Sequence, residues 1–215
     1  MAQNVIYNWR YYGAVFSSQG SGDDRVEVNL THNFFKAGPD TRLNRYEIQM
    51  GKSNLTRLYS KGNLSPRRTN RSQDEWIGVG LNASFEKAAP KEGYQSLTAF
   101  ETPLAVEGVA ISAQDAYEVV LKNVGASFPF RDAVDQRLIK DVINGTGGSV
   151  NHPDEVGGWP KLSSSPPLPD FDDDGMPDVW EESRGLNPLV KDGGEDKDAI
   201  GYMNLEDYLN QLISG

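Results

Sequence analysis

The chain has 215 residues, of which 37% are hydrophobic and 10% aromatic, and its formal net charge is −10. This length suits one domain of moderate size, or one domain with a small appendage. The absence of cysteine excludes a disulfide framework, a thiolate zinc site and a cysteine nucleophile, and two histidines leave little room for histidine chemistry. No run of about 18 apolar residues occurs, so no membrane-spanning helix is expected.

The acidic charge is concentrated at the end of the chain. Residues 170–215 hold 13 acidic and 3 basic residues, whereas residues 1–169 are neutral. This asymmetry predicts two units with different roles. Nucleic-acid binding is disfavoured, because an acidic tail repels phosphate and no basic stripe with a module signature occurs. No basic segment leads into an apolar one at the N-terminus, so no signal peptide is predicted here.

Residues 1–82 are predicted to form short strands, because short apolar runs alternate with turns rich in Asn, Gly and Ser. Asn8, Asn33 and Asn63 close three similar segments at intervals of 25 and 30 residues. Such a period is typical of a solenoid, in which asparagines stack at equivalent turns of successive coils. Ordinary turn asparagines in an antiparallel sheet are an equally good explanation.

Three further segments follow in the chain. Residues 83–111 show little periodicity and are predicted to close over the strands, which completes a strand-rich region 1–111. Residues 112–145 are predicted to form two closing helices, the first capped by Ser112 and the second ended by Gly145. Residues 146–169 contain glycine pairs and a Ser/Pro run, so we predict a linker there.

Residues 170–181 read D-F-D-D-D-G-M-P-D-V-W-E and match the EF-hand loop pattern. In such a loop alternate residues turn oxygens inward, a central glycine allows the sharp turn, and a final glutamate binds with both oxygens. We therefore predict a Ca²⁺ site in an EF-hand-like tail, 170–215. The predicted ligands are Asp170, Asp172, Asp174, the Met176 carbonyl, Asp178 and Glu181. An acidic, solvated turn before a helix is the alternative.

A second, degenerate copy of the loop follows at 196–207. Its predicted ligands are Asp196, Asp198, the Tyr202 carbonyl, Asn204 and Asp207. Ile200 stands where the first loop has a carboxylate, which weakens the expected binding of Ca²⁺. A structural turn without an ion is the alternative.

The sequence resembles the C-terminal part of secreted bacterial pectate lyases of polysaccharide lyase family 1. In the tail the resemblance rests on W-P-x-L-x-S-x-P-x-x-D-x-D-x-D-G-M-P-D-x-W-E, then G-L-N-P and G-Y-x-N-L-E-x-Y-L. In the helical region it rests on A-Y-E-V-V-L-K-N-V-G-A, R-D-A-V-D-x-R and E-V-G-G-W-P. At the front, N-V-I-Y-N-W and N-F-F-K-A-G-P-D-T resemble the last β-helix coils of the family.

The resemblance implies a mainly-β fold, namely the last coils of a right-handed parallel β-helix followed by helices and the EF-hand-like tail. It implies cleavage of polygalacturonate by β-elimination, in which Ca²⁺ acidifies the proton beside a uronate carboxylate and an arginine acts as base. It also implies Ca²⁺ as cofactor, pectate as partner, and a secreted or cell-surface location. No nucleic-acid or membrane partner is expected.

The sequence departs from the family where the catalysis is expected. The family's catalytic arginine, in an R-x-P-R-like segment, and its catalytic Ca²⁺ ligands precede the N-V-I-Y-N-W stretch. No R-x-P-R occurs in this sequence, and Arg67 and Arg68 follow on a later coil. We therefore assign no catalytic residue and expect little cleavage by this chain alone.

Residues at the edge of the implied groove are candidates for sugar subsites, since cations pair with uronate carboxylates and aromatic rings stack on sugar faces. They are Trp9, Arg10, Tyr11, Tyr12 and Lys36. The alternative is that Trp9 packs inside the fold and the two cations are ordinary surface residues.

Two functions of different classes are compatible with these observations. One is a pectate-lyase-like enzyme that needs further coils, and the other is a non-catalytic, Ca²⁺-stabilised module that binds carbohydrate or supports a structure. A different hydrolytic activity on the same fold is a minor third option, since fold does not determine function. An open first coil would expose strand edges and favour self-association.

Overall fold

The computed structural model describes residues 1–17, 25–51, 55–81, 88–101, 111–127, 130–161, 165–199 and 201–213. The chain divides into two compact units, the first built from Met1–Ser127 and Arg131–Trp159 and the second mainly from Pro160–Gly215. This division falls inside the predicted linker, of which residues 162–164 lie outside the described ranges.

In its described residues, the first unit contains seven short strands arranged in three sheets. They are β1 (Val5–Tyr7), β2 (Ala14–Phe16), β3 (Val26–Thr31), β4 (Phe34–Lys36), β5 (Ile48–Met50), β6 (Thr56–Lys61) and β7 (Val79–Leu81). β1 pairs with β4, β3 pairs with β6, and β5 lies between β2 and β7. All four pairings are parallel, which confirms the predicted parallel strands and excludes the antiparallel alternative for these segments.

The strand registers repeat at a nearly constant separation along the chain. The aligned residues at the start of each pairing are Val5 with Phe34, Ala14 with Ile48, Val26 with Thr56, and Ile48 with Val79. The strands that pair thus lie about 30 residues apart along the chain, which is the length of one structural repeat. The unit is therefore a repetitive, mainly-β parallel arrangement.

An asparagine ladder connects three successive turns of the first unit. The Asn33 side-chain oxygen accepts hydrogen bonds from the backbone N–H and the Nδ2 of Asn4, both at 3.0 Å. The Asn63 oxygen accepts the same two bonds from Asn33 at 2.9 Å. The sequence prediction is right for Asn33 and Asn63 and wrong for its first member, because the β1–β4 register places Asn4, not Asn8, beside Asn33. Asn8 instead exchanges hydrogen bonds with Asp40.

The core of the first unit lies between the sheets. Leu30, Met50, Leu58 and Val79 are completely buried, and the burial of such side chains is the main stabilising contribution to the fold. Neighbouring aromatic and aliphatic side chains complete this cluster. The strands are thus held together by apolar residues from all three sheets.

Part of the predicted covering segment, residues 88–101, is described. Gln95 forms a parallel bridge with Leu58 of β6, and Ala89 and Tyr94 belong to the buried core. Residues 83–87 and 102–110 of the predicted segment lie outside the described ranges. The described part of this segment therefore continues the parallel pairing beyond β6.

Local interactions cap the ends of the helices in the first unit. They are α1 (Ala113–Asn123), α2 (Ala133–Asn144) and a 3₁₀ turn at Pro153–Val156. The side chains of Ser112 and Asp132 accept hydrogen bonds from backbone N–H groups three residues on, which satisfies donors at the two N-termini. Gly145 ends α2 in the left-handed conformation, with φ of 69°.

The described part of the second unit contains two short helices, α3 (Asp178–Arg184) and α4 (Asn204–Leu212). Trp180 on α3 lies 5.3 Å from the Tyr208 ring on α4, and its indole N–H donates to Gln211 at 2.7 Å. These contacts pack the two helices against each other. Within the part of the chain that is described, no helix has the length and apolar character needed to cross a bilayer.

Candidate metal centre

The first acidic loop, 170–181, has the backbone of a tight, inward-turning loop. Asp173 and Gly175 have positive φ values of 56° and 97°, a conformation that glycine adopts without strain. The Asp170 carboxylate accepts hydrogen bonds from the N–H groups of Asp174 at 3.2 Å and Gly175 at 3.0 Å. The Asp170 carboxylate therefore fixes the backbone of Asp174 and Gly175 in the middle of the loop.

Three of the predicted ligands converge in this loop. Asp170, Asp172 and Asp174 each offer a carboxylate oxygen, and these oxygens lie within 4.8 Å of one another. Both oxygens of Asp172 are shielded from solvent and have no hydrogen-bond partner within the described ranges. Burial, and then the charge of Asp174, raises the pKa of the Asp172 carboxyl above its ordinary value. A cation would relieve both effects.

Glu181 belongs to a second group that contains a residue missing from the sequence prediction. Oxygens of Asp174, Glu181 and Asp192 lie within 4.8 Å of one another. The Glu181 side chain is completely buried, and no described residue donates a hydrogen bond to either of its oxygens. Burial, followed by the charges of Asp172, Asp174 and Asp192, raises the pKa of Glu181 to about 7.

This arrangement fits a hard cation. A buried carboxylate without a donor carries a desolvation penalty that a bound cation compensates. All the side-chain ligands are carboxylates, which favour Ca²⁺ or Mg²⁺ over softer metals. Met176, also predicted as a ligand through its carbonyl, is buried in the loop, and its N–H donates to Asp174 at 3.0 Å. Ca²⁺ at these residues would neutralise their charge and fasten the loop.

Asp178, a further predicted ligand, is placed differently. One of its carboxylate oxygens accepts a hydrogen bond from the Phe171 N–H at 2.8 Å, so this side chain spans the loop. Asp178 is in neither of the two groups of converging carboxylates.

The second predicted loop repeats the backbone of the first. Ala199 and Gly201 have φ values of 57° and 94°, at the positions of Asp173 and Gly175 in the first loop. The Gly201 N–H donates to the Asp196 carboxylate at 3.0 Å, as Gly175 does to the first carboxylate of its own loop. The two loops therefore share a local fold; Ile200 lies outside the described residues.

The side chains of the second loop are arranged differently from those of the first. Among the described residues, no group of three converging acidic side chains includes Asp196, Asp198 or Asp207. Asn204 is buried, and its Nδ2 donates to the Asp192 carbonyl at 2.8 Å. Tyr202, whose carbonyl is a predicted ligand, has an exposed side chain.

A cationic surface surrounds Tyr11, one of the predicted sugar-subsite residues. Tyr11 is 40% exposed, and the guanidinium carbons of Arg42, Arg45 and Arg10 lie 4.6, 5.0 and 5.5 Å from its ring centroid. Arg45 also donates to the Tyr12 hydroxyl at 3.2 Å. We call these five residues the Tyr11 surface. Sequence reasoning missed Arg42 and Arg45, because they follow β4 and approach Tyr11 only through the strand repeat.

The other two predicted subsite residues make contacts within the fold. Trp9 is 8% exposed and packs edge-on against Phe35, with 6.0 Å between the ring centroids. The Lys36 ammonium donates to the Tyr117 hydroxyl at 3.1 Å and to the Ile143 carbonyl at 2.9 Å. Lys36 thus links β4 to both α1 and α2.

The first unit is a parallel, mainly-β repeat, and the second carries an acidic loop suited to a hard cation. No protein-family model matches the chain. The chain is similar to curated proteins named Probable pectate lyase C from Aspergillus flavus (28% identity), Aspergillus oryzae (27%) and Aspergillus terreus (30%). Each match covers 98% of this chain and 47% of the relative.

The chain therefore spans about half the length of the curated relatives it matches. Their names support a pectate-lyase-like family for this chain, as its motifs predict. These relatives are fungal, so the bacterial origin implied by the sequence resemblance stays a prediction.

Proposed function

We propose that this chain is a pectate-lyase-like protein that binds acidic polysaccharide, is stabilised by Ca²⁺, and cleaves pectate poorly by itself. The observation that carries this proposal is the similarity to proteins named Probable pectate lyase C over 98% of the chain. The parallel pairing of strands about 30 residues apart supports the further proposal that the sheets are faces of a right-handed parallel β-helix. By the same similarity we propose a secreted or cell-surface protein.

The Tyr11 surface is our proposed contact for the polysaccharide. Polygalacturonate carries a carboxylate on every sugar, and arginine binds carboxylates through two parallel hydrogen bonds. Arg10 and Arg42 are exposed beside the Tyr11 ring, so a uronate could be paired while the ring contacts a sugar face. Trp9 and Lys36 would contribute indirectly, because their contacts hold in place the strands and helices that carry this surface.

Weak cleavage by this chain alone is proposed because no R-x-P-R-like segment, which the family resemblance gives as the catalytic one, occurs in these 215 residues. The reaction needs a base at the proton beside the uronate carboxylate and a cation that makes this proton acidic. A positioned base contributes about 10²–10⁴-fold and one electrostatic donor about 10²–10³-fold. Arg67 and Arg68 do not substitute for the missing base, since they pair with Glu47 at 3.5 Å and Glu75 at 2.8 Å.

The proposed role of Ca²⁺ is to stabilise the tail. Asp170, Asp172, Asp174, the Met176 carbonyl and Glu181 would hold the ion, and the clustered carboxylates repel one another without it. The second loop, with Asp196, Asp198, Tyr202, Asn204 and Asp207, is proposed as a weaker site. When bound, Ca²⁺ supplies charge compensation there and takes no part in cleavage.

The test combines a cleavage assay with a binding assay on the same protein. With Ca²⁺ at alkaline pH, we expect no rise in the ultraviolet absorbance of the unsaturated product from polygalacturonate. We expect binding of polygalacturonate in affinity electrophoresis, and a loss of at least about tenfold in the Tyr11→Ala/Arg42→Ala double variant. Arg71→Ala is the matched control, since Arg71 is an exposed arginine of the same unit outside the Tyr11 surface.

Two outcomes would contradict the proposal in different ways. Robust turnover that disappears in Arg10→Ala would locate a catalytic base on the Tyr11 surface. Equal, negligible binding by the wild type and the double variant would favour a purely structural, Ca²⁺-stabilised module.

A further inference from the structure

Asp192 lies outside the acidic loop but beside its carboxylates. Its backbone N–H donates to the Asp174 carboxylate at 3.1 Å, and the next N–H, from Gly193, donates to the same oxygen at 2.7 Å. The Asp192 side chain is 9% exposed, and one of its oxygens lies within 4.8 Å of oxygens from Asp174 and Glu181. The turn that contains Asp192 is therefore held against the loop by hydrogen bonds.

Glu181 is an independent sign of a ligand at this point. It is completely buried, and neither of its oxygens has a hydrogen-bond donor among the residues that the structure describes. Oxygens of Asp174 and Asp192 lie within 4.8 Å of a Glu181 oxygen, so the side chain faces other carboxylates. A buried carboxylate in such surroundings is satisfied by a cation.

Asp178 does not occupy the position that Asp192 takes. In an EF-hand loop the ninth residue contributes to Ca²⁺, often through water. Here the carboxylate of Asp178, the ninth residue, accepts a hydrogen bond from the Phe171 N–H at 2.8 Å and is outside both converging groups. The ninth residue thus closes the loop, while a carboxylate from elsewhere lies with the ligands.

We propose that Asp192 takes the place of Asp178 in the coordination of Ca²⁺, so that one ion clasps the loop 170–181 to the turn 191–195. This inference rests on the proposed Ca²⁺ function. The Met176 carbonyl, both oxygens of Glu181 and one oxygen from each of four aspartates supply roughly seven ligands, within the range that Ca²⁺ takes. The four aspartates are Asp170, Asp172, Asp174 and Asp192.

The clasp connects the ion to α4 as well. Asn204, the first residue of α4, is buried and donates from Nδ2 to the Asp192 carbonyl at 2.8 Å. The Leu205 N–H donates to the Gly193 carbonyl at 3.0 Å. Fixing Asp192 therefore also fixes the start of α4.

Calorimetric titration of the full chain with Ca²⁺ tests the ligand assignment. We expect Asp192→Asn to raise the Kd at least about tenfold, because even residues that only support metal ligands contribute about 10–100-fold. Asp178→Asn should change the Kd less than about threefold, because an amide oxygen can still accept the Phe171 N–H. Glu182→Gln, at an exposed acidic residue of α3 outside both loops, is the matched control and should leave the high-affinity step unchanged.

Hydrogen exchange with and without Ca²⁺ supplies a second measurement that does not depend on affinity. In the wild type, we expect Ca²⁺ to slow exchange in the loop and also at the amides of 191–195 and 204–207. In Asp192→Asn at saturating Ca²⁺, protection should remain at 170–176 and be lost at 191–195. Equal circular dichroism of the two proteins in chelator shows that the variant folds.

The outcomes separate the clasp from the underlying Ca²⁺ function. Wild-type protein that binds no Ca²⁺ overturns both. Wild-type binding with an unchanged Kd in Asp192→Asn, or with no protection at 191–195, overturns the clasp alone. A large loss in Asp178→Asn without one in Asp192→Asn would return the site to an ordinary EF-hand ligand set.

Discussion

Among the described residues, the buried Glu181 carboxylate has no hydrogen-bond donor, so in the absence of a cation burial favours its protonated form. Its pKa in the folded, ion-free protein is raised to about 7 from an ordinary value of 4.5. Below both values the folded and unfolded states carry the proton equally. As pH rises from about 4.5 to about 7, the unfolded state loses its proton first, so folding stability falls across this window.

We therefore predict that in chelator the melting temperature of the second unit decreases as pH rises from about 4.5 to about 7. Glu181→Gln should flatten this dependence and raise the melting temperature at pH 7, since the amide carries no charge. The pKa of Asp172 is also raised, so any dependence of stability on pH that remains in Glu181→Gln has the same direction. Scanning calorimetry at several pH values measures this, and an equal slope in wild type and variant would contradict it.

The asparagine ladder is the clearest residue-scale contribution to the first unit. Asn33 has no exposed surface, and its side chain bonds to Asn4 and Asn63 at once. Asn33→Ala should lower the free energy of unfolding by about 1–3 kcal/mol, because it leaves buried partners unsatisfied. Asn123→Ala, on the exposed face of α1, should stay within about 0.5 kcal/mol of wild type in the same urea titration. Equal effects of the two substitutions would remove the energetic role of the ladder.

At the scale of elements, Lys36 joins a strand to two helices. Its ammonium donates hydrogen bonds to the Tyr117 hydroxyl on α1 and to the Ile143 carbonyl near the C-terminus of α2. At that helix end a cation also interacts favourably with the helix dipole. We predict that Lys36→Met destabilises the first unit by about 1.5–3 kcal/mol, the range for hydrogen bonds to charged groups. Lys91→Met, which removes the exposed pair with Asp74, should cost at most about 1 kcal/mol. Thermal unfolding compares them, and unchanged stability with lost pectate binding would assign Lys36 to the substrate instead.

The end of α2 offers a test of one backbone position. Gly145 has φ of 69°, and nothing lies within 4 Å of an added Cβ, so conformational strain is the dominant cost of a side chain. Gly145→Ala should destabilise the first unit by about 1–2 kcal/mol. Gly148→Ala, at a residue without positive φ and with room for a methyl group, should change stability by less than about 0.5 kcal/mol. Chemical denaturation of both variants checks this difference.

Local signals in the sequence predict elements better than partners. Ser112 and Gly145 were recognisable as helix boundaries, because capping depends on residues within one turn. The sequence prediction chose Asn8 instead of Asn4, and this choice was wrong. Asn4 precedes β1 and Asn8 follows it, and only the strand register shows which of the two lies beside Asn33. Asp192 could not be assigned from the loop pattern, since its approach to Asp174 depends on how the chain returns after α3.

For the whole molecule, the division of charge corresponds to the division of the structure. The neutral part contains the parallel strands and their apolar core, whereas the acidic part contains the loops and only a few buried apolar residues, such as Met176. A small unit with few apolar contacts has little intrinsic stability, and a bound metal is a common compensation. The repeated segments left parallel and antiparallel strands open, and the family resemblance favoured the parallel fold. Of the Tyr11 surface, the sequence predicted Arg10, Tyr11 and Tyr12 but not Arg42 and Arg45, which come from a neighbouring repeat.

This contrast predicts that the two units melt separately and that Ca²⁺ acts on one of them. A ligand that binds only the folded state at about 100 times its Kd adds about 2.7 kcal/mol, which in a small unit raises the melting temperature by about 10 °C or more. Scanning calorimetry should therefore show one transition that moves with Ca²⁺ and one that does not. Asp172→Asn is the sharpest variant, because neither Asp172 oxygen holds a hydrogen bond that the substitution could break. It should leave the transition in chelator unchanged or higher and abolish its shift with Ca²⁺, whereas a single transition that moves as a whole would show that the two units unfold together.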